Sequence, residues 1–214
     1  MSLARAVIFD LDGTLADTLV DIMNAMNHVL EARGLPTHDA ASYRRMVGEG
    51  ATRLAERAAP NAPTAALVAE FKQRYAAHLI EHSAPYPGIE PLLAELATRG
   101  VPMAVLSNKP HEATRQVVGA LFPSVPFVEV FGQREGVPRK PDPAAALELA
   151  QILRVAAPET AFVGDTHVDV ETARAGGMIA VAAGWGFRTP VELRDAGAEA
   201  VLAAPDQLLR MLAS

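Results

Sequence analysis

The feature that most constrains this chain is a repeated alternation. Short apolar runs end in polar or glycine-containing turns, and amphipathic stretches with helical spacing separate them. Six runs read as strands: Ala4 to Asp10, Pro102 to Ser107, Phe127 to Phe131, Ala161 to Gly164, Ile179 to Ala183 and Ala200 to Leu202. None has an internal proline, which a central strand could not accommodate without losing a ladder bond. They are apolar at nearly every position, which predicts strands covered on both faces. The expected fold is α/β, a doubly wound, Rossmann-like parallel sheet.

One segment breaks the alternation. From residue 17 to residue 84 the spacing is helical and no convincing strand is found. Ile22, Met23, Met26, Val29 and Leu30 share one helix face, and Gly34 and Pro36 end that helix. A second helix, Thr64 to His82, places Leu67, Val68, Phe71, Tyr75 and Leu79 at three- and four-residue steps. Pro85-Tyr86-Pro87-Gly88 then reads as a stiff connector. The expected organisation is a core of residues 1–16 and 85–214 with an α-helical unit, 17–84, inserted after the first strand. At 214 residues and 50% apolar, the chain can bury one sizeable core and a smaller appended one.

Composition narrows the function. A formal net charge of -6 repels phosphate backbones and anionic lipid, so neither nucleic acid nor a membrane is an expected partner. The absence of cysteine excludes disulfides, thiolate nucleophiles and thiolate zinc sites. The first apolar run, Ala6 to Phe9, is too short for a signal core or a membrane span, and cytoplasmic residence is expected.

Ligands of open α/β sheets bind at the carboxyl ends of the strands. The first run here ends Asp10-Leu11-Asp12-Gly13-Thr14, the second Ser107-Asn108-Lys109, and the fourth Gly164-Asp165-Thr166-His167-Val168-Asp169. Arg139-Lys140-Pro141-Asp142-Pro143 forms a loop ahead of a helix. On an extended backbone, Asp10 and Asp12 project to the same side. Two like charges about 4 Å apart repel by roughly 4 kcal/mol at an effective dielectric near 20, and Asp165 and Asp169 in the same crevice add to this. Oxygen-only ligands without paired histidines point to a hard cation, Mg²⁺. An isolated Asp-x-Asp after a strand reads equally well as a turn or helix cap. The conjunction with a serine, a lysine and a second acidic pair at successive element ends points instead to a site.

On these residues the sequence resembles the haloacid dehalogenase superfamily of aspartate-based phosphohydrolases. Its four motifs appear in order as Asp10-Leu11-Asp12-Gly13-Thr14, Ser107, Lys140 and Gly164-Asp165-Thr166-x-x-Asp169. The helical insert is similar to the family's cap domain. Within the superfamily, Ser107-Asn108-Lys109-Pro110, Gly132-Gln133-Arg134-Glu135-Gly136 and Val47-Gly48-Glu49-Gly50 resemble the phosphoglycolate phosphatase group. Arg139, where glycine commonly precedes the lysine, and Val168, often asparagine, depart from the pattern.

The resemblance implies a Mg²⁺-dependent phosphatase acting on a small phosphorylated metabolite, 2-phosphoglycolate being the best match. Asp10 is the expected nucleophile, forming an aspartyl-phosphate. Asp12 is the expected general acid and then base. Ser107 and Lys140 are expected to hold the phosphoryl oxygens, with Asn108, Gly13 and Thr14 also at the substrate. Asp10, Asp165 and the backbone carbonyl of Asp12 would bind the metal, and Asp169 would orient the metal shell or Lys140. Gly13 and Gly164 would let the backbone approach the phosphate.

His167 and the other five histidines read as surface; Lys109, beside Ser107, fits either a phosphate contact or, more plainly, helix N-terminal surface, and Trp185 either flanks the site or packs in the core or at an edge. Arg44, Arg45 and Arg53, around Gly48-Glu49-Gly50, fit either a bidentate carboxylate site or solvated helix surface. A phosphosugar mutase or a pyrophosphatase could use the same scaffold. A non-catalytic phosphate-binding or receiver-like module is the alternative from another class, disfavoured because Asp12 is retained and the candidate phosphorylated residue sits at position 10.

Overall fold

The computed structural model describes residues 3–212, so the outermost residues of the expected core range lie outside it. The chain begins with strand β1 (Ala6–Phe9) and a two-residue strand β2 (Ala16–Asp17). Four helices follow: α1 (Leu19–Ala32), α2 (Ala40–Met46), α3 (Gly50–Ala58) and α4 (Thr64–Ala77). Strand β3 (Ala84–Pro85) leads to α5 (Ile89–Thr98), β4 (Met103–Pro110), α6 (His111–Leu121) and β5 (Glu129–Gln133). The remainder alternates as α7 (Ala144–Leu153), β6 (Thr160–Gly164), α8 (His167–Ala175), β7 (Ile179–Ala183), α9 (Pro190–Asp195) and β8 (Ala200–Leu202).

Six strands pair in parallel in the order β5-β4-β1-β6-β7-β8, the expected doubly wound sheet. Successive side chains of a strand point to opposite faces, and both faces here are buried. Val7 and Phe9 of β1 enter one apolar cluster with Met103, Val105 and Val163, beneath Leu92 and Leu96 of α5. Ala6 and Ile8 enter the other with Leu106 and Phe162, beneath Leu149 of α7 and Ala173 of α8. Two-sided coverage is why these strands show no polar alternation. Burying a single Val, Leu, Ile or Phe is worth about 1.5–3 kcal/mol, so the central strands carry much of the fold's stability.

The sheet reverses direction around β1, first growing towards β4 and β5, then towards β6, β7 and β8. That switch point opens a crevice at the carboxyl ends of β1, β4 and β6. Register aligns those ends: Phe9 pairs with Val105 on one side and Val163 on the other, and the Asp10 N–H donates to the Val163 carbonyl at 2.8 Å.

The helices α1 to α4 pack on one another through Met26, Leu30, Tyr43, Leu54, Leu67 and Phe71. β2 and β3 pair antiparallel, Ala16 with Pro85 and Asp17 with Ala84, so the outgoing and returning segments run side by side. The sequence carries no periodic signal for this ribbon, and Pro85 reads there only as a connector. Three other boundaries differ. β4 continues past Ser107 to Pro110, across an irregularity in its pairing with β5. β5 starts two residues late because Phe127 is spent packing edge-on against Phe122. α4 stops at Ala77, because His78 leaves helical geometry (φ -139, ψ 42) and the next residues turn towards α1. Among the described residues, no helix is long and apolar enough to cross a membrane.

That turn is pinned by Asp21, buried in the first turn of α1. Its carboxylate accepts the N–H groups of His82 (3.0 Å) and Ser83 (2.9 Å), the Ser83 hydroxyl (2.6 Å) and a contact from His82 Nδ1 (2.9 Å). Burial pushes the carboxyl's pKa up, but these donors outweigh it and hold the group below its ordinary value. A depressed folded value means the site's stabilisation is complete above the unfolded pKa and is lost as pH falls through the folded one. Asp21→Ala is expected to cost about 1–3 kcal/mol at neutral pH. It should also flatten the acid limb of stability, read as urea midpoints from neutral pH downwards; an acid limb as steep as the wild type's would contradict this.

Candidate active site

Three acidic side chains meet at the crevice. Asp10, directly after β1, Asp165, directly after β6, and Asp169, in the first turn of α8, each present a carboxylate oxygen within 4.8 Å of the others, and all are buried. Lys140, from the loop before α7, reaches in with its Nζ 2.9 Å from Asp10 Oδ1 and 2.6 Å from Asp169 Oδ1. The loop that carries it is held by Asn108: the Lys140 N–H donates to Asn108 Oδ1, and Asn108 Nδ2 donates to the Lys140 carbonyl, both at 3.1 Å. Asn108, expected at the substrate, has its amide engaged on this loop and on the Gly48 carbonyl at 3.3 Å.

Each acid has its own support. Asp169 Oδ2 accepts from the Thr166 N–H (3.0 Å) and hydroxyl (2.8 Å), a bond pattern that fixes the start of α8. Asp165 accepts from the Phe187 N–H at 2.7 Å and the Thr14 hydroxyl at 3.2 Å. Thr14, a residue expected at the substrate, donates its hydroxyl proton to Asp165. Its carbonyl in turn accepts from Trp185 Nε1 at 3.0 Å, which ties the loop after β7 to the loop after β1.

The glycines expected at the phosphate also make room for the acids. At Gly13, with φ +88, a Cβ would lie 2.3 Å from Asp165 Oδ2; at Gly164 it would lie 2.2 Å from the Asp169 side chain. Any larger residue would displace an acid.

Asp12 stands apart from the three. Its Oδ1 accepts from Lys109 Nζ and from the Thr18 hydroxyl, both at 2.5 Å. Its backbone carbonyl accepts no hydrogen bond among the described residues. Lys109 is not the helix surface expected from the sequence. It is buried, bonded to the Tyr75 hydroxyl at 2.8 Å and lying over the Tyr75 ring at 4.9 Å. No short-range pattern announces this, because Tyr75 lies 34 residues earlier, on α4. Ser107 is buried at the end of the apolar part of β4, and its Oγ accepts the Lys109 N–H at 3.2 Å.

A cavity of about 60 Å³ lies between these groups and the helical unit, with Asp10, Asp12, Ser107 and Lys109 on one side and Ile22, Leu54, Phe71 and Tyr75 on the other. The arginines near Gly48 are engaged elsewhere. Arg44 donates to the Gly186 carbonyl at 3.4 Å, Arg45 to Ser42 Oγ at 3.4 Å, Arg53 pairs with Glu56, and Arg57 with Glu49. Arg188 crosses from the core to cap the end of α2, donating to the carbonyls of Arg44, Arg45 and Val47. His167 is partly exposed, 3.9 Å from Glu49. His38 and His111 are half-buried and bond to backbone groups, Ala58 O at 2.8 Å and Gly132 N–H at 3.3 Å, so neither is free surface.

Four carboxyl groups face two ammonium groups here, a formal surplus of two negative charges in a buried crevice when all four are ionised. Burial pushes Asp10 up to about 7, against the pull of Lys140 and with the help of Asp169 and Asp12. Burial, with Asp169 and Asp10, also raises Asp165 well above the carboxylate range. For Lys140, burial alone would lower the pKa, but Asp10 and Asp169 hold it above its ordinary value. An all-oxygen set with two surplus negative charges fits one divalent hard cation, and Mg²⁺ usually takes one or two carboxylates plus water and substrate oxygens. Asp10 Oδ2 accepts no hydrogen bond among the described residues and each Asp165 oxygen accepts a single one, whereas Asp169 pairs one oxygen with Lys140 and takes two bonds from Thr166 on the other. Mg²⁺ at 100 times its dissociation constant should stabilise the protein by about 2.7 kcal/mol. Asp165→Asn is expected to raise the melting midpoint of the metal-free protein and to abolish the Mg²⁺ shift, both read by calorimetry with and without chelator. An undiminished shift in the variant would contradict this assignment.

Comparison with known proteins identifies the family. The sequence profile described as "Haloacid dehalogenase-like hydrolase" matches residues 7–183. A phosphoglycolate phosphatase of Rhodospirillum rubrum is 38% identical over 199 residues, covering 87% of this chain and 83% of the relative. One from Xanthomonas campestris pv. campestris is 36% identical over 191 residues, covering 88% and 86%. A crystal structure from Lactobacillus delbrueckii subsp. bulgaricus superposes with a TM-score of 0.88 at 30% identity over 100% of both chains.

Proposed function

The chain belongs to the haloacid dehalogenase-like hydrolases, and from that premise we propose that it is a Mg²⁺-dependent phosphomonoesterase acting on a small phosphorylated metabolite, 2-phosphoglycolate. The observation that carries the reading is the division of the acidic residues into two groups. Asp10 lies against Lys140 in the buried triad, while Asp12, two residues on, faces the cavity from a separate ion pair. A nucleophile beside the cation site and a proton carrier beside the leaving group are the two positions that phosphoryl transfer needs.

Asp10 attacks phosphorus, forming the aspartyl-phosphate as the ester P–O bond breaks. Asp12 gives its proton to the departing alkoxide, then takes one from the water that attacks the intermediate, so that inorganic phosphate leaves and both carboxyls return to their starting states. Ser107 and Lys140 hold the phosphoryl oxygens and spread their charge. Asn108 and Asp169 position Lys140, and Thr14 positions Asp165. Asp10, Asp165 and the Asp12 carbonyl would hold Mg²⁺, which would supply the charge neutralisation that keeps Asp10 ionised. The helical unit, residues 17–84, acts as a cap on the core formed by 1–16 and 85–214 and excludes bulk water.

Asp10→Asn is expected to lower Mg²⁺-dependent phosphate release from 2-phosphoglycolate at least about a thousandfold. Asp12→Asn should lower it about 10²–10⁴-fold. The measurement is free phosphate over a panel of acid phosphates, sugar phosphates, nucleotides and pyrophosphate. A variant Asp10→Asn with wild-type rates, or an isomerised sugar phosphate as the product in place of free phosphate, would defeat the proposal.

A further inference from the structure

A substrate whose phosphorus lies at Asp10 must place its remaining atoms in the cavity under the helical unit. Most of that wall is apolar, with Ile22, Leu54 and Phe71 among its residues. A second negative charge there would be costly to bury unless a cation received it. Among the side chains that line the cavity, Lys109 is the one cation. The neighbouring arginines are held by the Gly186 carbonyl, Ser42, Glu56 and Glu49, and Lys140 is held between Asp10 and Asp169.

Lys109 is also built as a receiving site. An ammonium carries three protons, and two of those on Lys109 go to Asp12 Oδ1 and the Tyr75 hydroxyl oxygen. The third ammonium proton and the phenolic proton of Tyr75 have no acceptor among the described residues. Burial pushes the Tyr75 phenol up to about 12, so it keeps that proton at neutral pH. Two adjacent donors, one charged and one neutral, match the two oxygens of a carboxylate.

We propose that Lys109 and Tyr75 together recognise the substrate's carboxylate, so that this chain selects phosphomonoesters of small hydroxy acids over alkyl phosphates that carry no carboxylate. The inference rests on the phosphomonoesterase reading above and names the residues that set its selectivity. It also links recognition to the helical unit, because Tyr75 comes from α4 and Lys109 from β4. A carboxylate that takes the third proton of Lys109 shares its charge with Asp12, whose other donor is the Thr18 hydroxyl.

The test compares kcat/KM for 2-phosphoglycolate and for ethyl phosphate, its counterpart without the carboxylate, on the Mg²⁺-loaded full chain. Lys109→Met also disturbs Asp12, so both rates are expected to fall. The informative quantity is their ratio, from which any effect on Asp12 common to the two substrates cancels. In Lys109→Met the preference for 2-phosphoglycolate should shrink about tenfold to a hundredfold, mainly through its KM. Tyr75→Phe, which keeps the ring packed and loses only the hydroxyl, should shrink it about threefold to tenfold, and carries the test by itself if the lysine variant does not fold. An unchanged ratio in the folded variants, with both substrates slowed alike, overturns the inference and leaves the phosphomonoesterase reading standing. A wild type that hydrolyses both esters without preference overturns the carboxylate site and the 2-phosphoglycolate assignment together, and a wild type that hydrolyses neither overturns the phosphomonoesterase reading.

Discussion

The structure depends on Lys140 Nζ lying between Asp10 and Asp169. One buried ammonium serves two carboxylates from different strand ends, and a third, Asp165, is left with only an N–H and a hydroxyl. Removing one member of such a set leaves a buried charge unpaired, which is far more costly than the set's net worth to stability. The surroundings are accordingly arranged to hold all four in place. Asn108 grips the Lys140 backbone at both its N–H and its carbonyl, Thr166 fixes Asp169, and the loop after β7 delivers the Phe187 N–H to Asp165. Gly13 and Gly164 leave the acids the volume a methyl group would occupy.

This explains what was and was not legible in the amino-acid sequence. The parallel sheet could be read because burial on both faces leaves an unmistakable mark, apolar residues without alternation, in the runs that became β1, β6 and β7. The acids could be read because Asp10 and Asp165 directly follow such runs, and Asp12 and Asp169 lie within a few residues of them. Bonds across long stretches of chain could not. Nothing local distinguishes Thr14, turned back to Asp165, from Thr14 facing a phosphate, and Gly13 reads as a turn whether its missing side chain admits a ligand or a neighbouring carboxylate.

Lys109 is the clearest such case. Its position between Ser107 and a helix start suggests solvent, yet it is buried because α4 brings Tyr75 over it and the loop after β1 brings Asp12 beneath it. Both partners are distant in sequence, and one belongs to a segment whose own periodicity announces only a helix. The ribbon of β2 and β3 escaped notice for a related reason. Two-residue strands carry no periodic signal, and Pro85 can join one because its missing N–H costs nothing at a ribbon this short.

The two ion pairs stand in different relations to the helical unit. The set around Lys140 is made entirely by core loops, so the helices could shift without breaking it. The Lys109–Asp12 pair is roofed by α4, and Asn108 and Arg188 reach the same unit through the carbonyls at the end of α2 and at Gly48. A displacement of the helices would therefore alter the surroundings of Asp12 while leaving Asp10, Asp165 and Asp169 undisturbed. Separate anchoring lets the charged centre stay assembled in the core, while the environment of Asp12 depends on where the helices sit.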